Sequence, residues 1–346
     1  MELDNKMFCN PSKRRRIEHV KDGNSSLSIV NSGNEHSQQT ENPDLYSLIN
    51  AKDWKRTAAK VKENPHLVAS CTREPSMLAL SCRWGAPYYC VKELLDAAPR
   101  KLRHLLDSRG TPLHEAIVCD EVGPEVVAYL LQMDEKLVSD GDSNSLRAAM
   151  IQDVDGYTPL HLLIRRRFQS HVLADTNENE TSNFIEILEL LVRSCAEAII
   201  IPDRGEYEEP PIVMAIKANV YAPMLQSEET TIARTERHIY DMVKCMLQHF
   251  PEAASRVFNG YRGQYTGLHS AVFHGRCPDT IELLLNAEKE SPSIMSQKAC
   301  LLGNTQGELP LHFCAMRGEP PRTVALLAKA APEAISKRDA SGLTPV

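Results

Sequence analysis

The chain has 346 residues, 42% of them hydrophobic and 25% charged, a balance that excludes a wholly disordered polypeptide. Its net charge of −7 argues against direct nucleic-acid binding, and aromatics at only 5% point to an aliphatic core carried on helices. The longest aliphatic run, Val324 to Ala328, is far shorter than the roughly 20 residues of a membrane span, and Met1 to Lys6 shows no apolar leader. The sequence therefore reads as an intracellular soluble protein, cytoplasmic or nuclear or both, with its ten cysteines kept reduced.

Residues 1–42 read as a disordered tail, because Gly23 to Pro43 offers only Leu27, Ile29 and Val30 among polar residues. Within it, Lys13, Arg14, Arg15 and Arg16 form a basic run on an otherwise acidic protein, a candidate for the acidic groove of a nuclear import receptor. The plain alternative is a solvated charge run.

From Pro43 onwards one pattern recurs. Thr111-Pro112-Leu113-His114, Thr158-Pro159-Leu160-His161, Thr266-Gly267-Leu268-His269 and Leu309-Pro310-Leu311-His312 align, and Pro210-Pro211-Ile212-Val213 keeps the shape without the histidine. Turn residues precede most copies, as in Asp153-Val154-Asp155-Gly156 and Asn304-Thr305-Gln306-Gly307. The string is a helix start: Asp or Asn opens the turn, Gly takes the left-handed backbone, Thr caps, and Pro sits where its missing N–H costs nothing. The histidine at the third helical position can bond back to the cap or across to the neighbouring repeat, so these histidines read as structural rather than as metal ligands. A second helix follows each start, with apolar triplets such as Val91/Leu94/Leu95, Val127/Leu130/Leu131 and Ile281/Leu284/Leu285 forming one buried stripe. Proline ends the outer helices at Pro99, Pro251 and Pro332.

The residues of these strings resemble the ankyrin-repeat family, with its turn, Thr-Pro-Leu-His start and two antiparallel helices. The resemblance covers residues 43–346 and implies an all-α solenoid of about seven helix-pair repeats. Successive His slots lie 47, 52, 56 and 43 residues apart, against about 33 in a compact unit, so the repeats are divergent and rich in insertions. The insertions are expected at 165–183, opening with Arg165-Arg166-Arg167, and at 219–236, as surface padding or binding loops. The start at Thr344-Pro345-Val346 announces a helix that does not follow, so the final repeat reads as truncated or as covered by a partner, the plain alternative being that Gly342 to Val346 folds back as a short lid.

No catalytic, cofactor or metal constellation stands out. There is no C-x-x-C pair, no glycine-rich phosphate loop and no nucleophile elbow. The resemblance instead implies a non-catalytic scaffold or adaptor binding a protein partner on a concave surface. Candidate partner residues at the turn tips are Arg109, Tyr157, Arg204, Tyr207, Tyr261, Arg262 and Tyr265, with Asp155 and Glu308 beside them. The alternatives are a nuclear regulator that binds or masks a transcription factor, suggested by Lys13 to Arg16, and a substrate-recruiting subunit of an enzyme complex.

Overall fold

The computed structural model describes residues 44–69, 76–97, 110–139, 147–169, 178–218, 229–260, 263–290 and 298–345. Their helices are α1 (Leu45–Asn50), α2 (Trp54–Glu63), the single turn α3 (His66–Ala69), α4 (Met77–Arg83), α5 (Tyr88–Ala97), α6 (Pro112–Val118), α7 (Pro124–Ser139), α8 (Pro159–Gln169), α9 (Glu178–Ser194), α10 (Pro211–Lys217), α11 (Glu229–His249), α12 (Gly267–Phe273), α13 (Pro278–Glu290), α14 (Pro310–Arg317) and α15 (Pro321–Ala330). Leaving α3 aside, the described helices form seven pairs in two rows. The inner row runs α1, α4, α6, α8, α10, α12, α14, and the outer row runs α2, α5, α7, α9, α11, α13, α15, each helix packed on its predecessor in the row and on its pair mate. The fold is an all-α solenoid. Its one departure among the described residues is a small antiparallel pair, β1 (Val257–Phe258) with β2 (Tyr265–Thr266).

Counting from the cap residue as zero explains the inner helices. Position five is small: Ser81, Ala116, Ala215, Ala271 and Cys314 are all buried there and let successive inner helices approach closely. Leu163, at the same position of α8, is also fully buried. The apolar triplets of the outer helices are buried as their spacing requires, including Val91, Leu94 and Leu95 on α5 and Ile281, Leu284 and Leu285 on α13. Pro251 and Pro332 follow the ends of α11 and α15 and open short 3-10 turns, Pro251–Ala254 and Pro332–Ser336.

One turn is built four times. Asp153 Oδ1 accepts from the N–H groups of Asp155 (3.0 Å) and Tyr157 (2.8 Å). Asn304, Asp339 and Asp203 make the same pair of bonds two residues on and, respectively, four, four and six residues on. Gly156 sits in the first of these turns at φ +86°, and a Cβ there would lie 2.5 Å from the backbone nitrogen of Arg204 in the next turn. Gly156→Ala is expected to lower the unfolding free energy by about 1–3 kcal/mol, through backbone strain and this clash, as read by urea unfolding.

Two expected insertions turn out to be partly helical. α8 continues through Arg165-Arg166-Arg167 to Gln169, because tertiary partners hold these arginines. Arg166 Nη1 donates to the carbonyls of Ile117 (2.7 Å) and Cys119 (3.2 Å) at the end of α6, and its guanidinium pairs with Asp120. Arg167 is buried, with Phe184 beneath its guanidinium and His238 Nε2 at 3.2 Å. In the second insertion, α11 begins at Glu229, and Glu236 accepts from Arg276 Nη1 (2.6 Å) and from the Cys277 N–H (3.1 Å) at the start of α13. These stretches are stacking elements rather than free loops.

Candidate binding surface

The four histidines of the repeat starts join one repeat to the next. Thr111 N–H donates to His114 Nδ1 (3.1 Å), with the Thr111 hydroxyl 2.8 Å from the same nitrogen. An Nδ1 that accepts from a backbone N–H leaves the proton on Nε2, which then donates to the Tyr157 carbonyl of the following turn (3.1 Å). His161 repeats this between Thr158 and the Glu209 carbonyl (2.9 Å), and His269 between Thr266 and the Glu308 carbonyl (3.0 Å). His312 accepts from the Leu309 N–H (2.9 Å) and reaches the Leu343 carbonyl (3.2 Å). The exception explains itself. Pro210 has no N–H to satisfy, and the His slot of that repeat holds the buried, apolar Val213. Burial pushes the His114 and His161 rings below the ordinary range, and His269 down to about 4.

Turn, capped start and antiparallel helix pair, stacked in register with a histidine crossing from cap to next turn, are the features of one architecture. The chain folds as an ankyrin-repeat-like solenoid.

No protein-family model matches the chain, and no curated protein matches it. Among solved structures, the chain is similar to the human ASB11 ankyrin repeat domain, with 15% identity and a TM-score of 0.44 over 83% of this chain and 97% of that one. It is also similar to a chain in the structure of the predatory endopeptidase Bd0816 of Bdellovibrio bacteriovorus in complex with the immunity protein Bd3460, with 17% identity and a TM-score of 0.43 over 73% of this chain and 96% of that one.

The outer helices of this stack cover one side of the inner row, and position seven of the inner helices α4 to α14 lies on the opposite, more open side. Position four is buried or half-buried and carries Leu80, Glu115, Leu162, Met214, Ser270 and Phe313, whereas position seven carries Arg83, Val118, Arg165, Lys217, Phe273 and Met316. Val118 and Met316 are about half exposed, at 54% and 53%, and Trp84 beside Arg83 is 41% exposed. Apart from these positions' cap-based numbering nothing in the local sequence marks them, although counting four places beyond His114 or His161, seven beyond their caps, reaches Val118 and Arg165.

The sequence candidates divide. Tyr157 is half-buried, tilted against His161, with Arg165 5.0 Å over its ring. Tyr207 is exposed, with Lys217 Nζ 5.9 Å from its ring centre, and Arg204 and Asp155 are exposed at neighbouring tips. Tyr157 and Tyr207 thus each turn back from a tip onto the position-seven cation of the helix that follows. Tyr265 was expected at an exposed tip but is half-buried beside Phe258 (6.3 Å between centroids), because pairing of β1 with β2 folds it inward. Burial raises its hydroxyl pKa. Glu308 spends its carbonyl on His269 and its carboxylate on Asn304 Nδ2 (2.8 Å). Arg109, Tyr261, Arg262 and the run Lys13 to Arg16 lie outside the described residues.

Among the described residues no group of three or more His, Cys, Asp or Glu side chains could hold a metal ion, and no helix is long and apolar enough to cross a membrane. The described cysteines are free thiols, most of them buried, and burial raises Cys195 and Cys245 to about 11 and Cys90, Cys300 and Cys314 to about 12.

Proposed function

We propose that this chain is a non-catalytic scaffold that binds a protein partner on the open face of its inner helices. The observation that carries the reading is that open face itself: a row of position-seven side chains from Arg83 on α4 to Met316 on α14, in which the apolar Val118 and Met316 are left half exposed. A binding role rather than catalysis is supported by the use of His114, His161, His269 and His312 as repeat couplers and by thiols held in their protonated, poorly nucleophilic form. Val118→Asp combined with Met316→Asp places two charges on this face without touching the buried core. Affinity capture with the full chain and with this double variant, matched for melting temperature, is expected to show partner proteins retained only by the native chain. An identical captured set would place the interface elsewhere.

A further inference from the structure

Arg165 differs from the other cations at the ends of the inner helices. Arg83 is paired with Glu115 (2.5 Å), Arg166 with Asp120, Lys217 with Glu209, and Arg317 with Glu319 (3.0 Å). Arg165 is exposed at position seven of α8, stacked on Tyr157, and no carboxylate among the described residues pairs with it. Among the described residues its charge is thus held in place by a ring and left uncompensated, in a row shared with the paired Arg83 and Lys217 and with Val118 on α6, Phe273 on α12 and Met316 on α14.

The spacing of that row sets what can read it. Packed helix axes lie about 8–10 Å apart, and an extended chain advances about 3.3 Å per residue, so a strand laid across the inner row meets a new inner helix roughly every three residues. We infer that the open face takes an extended peptide segment with an apolar side chain, a carboxylate three residues on, and apolar side chains about six and nine residues beyond the carboxylate, or the same order reversed. In this register the apolar groups face Val118, Phe273 and Met316, and the carboxylate faces Arg165. The position opposite Lys217 carries no charge requirement, because Glu209 already neutralises that lysine. The inference rests on the open face being the binding surface.

The test pans the immobilised full chain against a phage-displayed library of random peptides about sixteen residues long, followed by synthesis of the enriched sequences. The expected result is enrichment of Asp or Glu in the stated spacing to apolar residues, with a loss of about tenfold in affinity when that carboxylate is changed to an amide. Arg165→Glu should abolish the acidic preference and shift enrichment to Lys or Arg at the same place, with an unchanged melting temperature. Arg165→Gln should remove the preference without reversing it. Peptides that lose binding on Val118→Asp and Met316→Asp but show no acidic preference would overturn this inference and leave the open-face reading standing. No enrichment, or enriched peptides indifferent to both substitutions, would overturn both.

Discussion

Replacing His269 by alanine is expected to lower the unfolding free energy by about 3 kcal/mol. The side chain is 2% exposed and holds three groups at once: the Thr266 N–H, the Thr266 hydroxyl and the Glu308 carbonyl of the next repeat. Without the ring, the N–H of the fully buried Thr266 loses its acceptor, a cost of about 1–3 kcal/mol, and the bridge to Glu308 contributes about 1 kcal/mol more. The edge-to-face contact with Phe313, at 5.6 Å and 90°, is lost as well. His312→Ala should cost less, because Leu309 supplies no hydroxyl to the ring and the side chain is slightly more exposed. Urea unfolding of both variants measures the order, and equal midpoints would show that the rings are packing filler.

The second large effect is loss of stability in mild acid. Burial holds His269 at about 4, well below the roughly 6.5 of an unfolded histidine. The neutral ring is therefore the folded form, its contribution is fully present above pH ~6.5, and it is lost as the pH falls towards 4, where the unfolded chain has taken up a proton that the native one refuses. A gap of this size corresponds to ~3 kcal/mol for His269. His274 is also held at about 4, first by burial and then by the neighbouring charges of Lys217, Arg276 and Arg317, but it is partly exposed and contributes less. His114, His161 and His238 are lowered too and add in the same direction. Unfolding free energy measured between pH 6.5 and 5, above most carboxylate titrations, should fall steeply in the native chain and less steeply in His269→Ala. A flat profile would show that the rings accept protons in place.

The repeat starts were legible in the sequence because cap chemistry is local. Thr158, Pro159 and His161 lie within four residues, and the turn before them announces itself by Asp153 and Gly156. What a string of residues does not carry is tertiary compensation. Three consecutive arginines after Ile164 interrupt the apolar period and so read as a loop, yet the carbonyls at the end of α6 and the ring of Phe184 hold them in α8. Tyr265 looks like an exposed tip until the two-residue pairing with Val257 and Phe258 turns it inward. The open face is illegible in the sequence for a related reason. Val118 and Met316 have the apolar character of core residues, and only the placement of the outer helices decides that their side of α6 and α14 stays uncovered.

The central claim, that a protein partner sits on the inner-helix face, is tested most directly by site-specific photocrosslinking. A photoreactive phenylalanine analogue is placed singly at Val118, Met316, Arg193 or Lys244 of the full chain; the first two lie on the open face, and the last two are exposed on the outer helices α9 and α11. The account predicts that illumination in cell extract gives one shared crosslinked protein from the Val118 and Met316 positions and none of it from Arg193 or Lys244. Crosslinks to a common protein from the outer-helix positions, with the open-face positions silent, would contradict it.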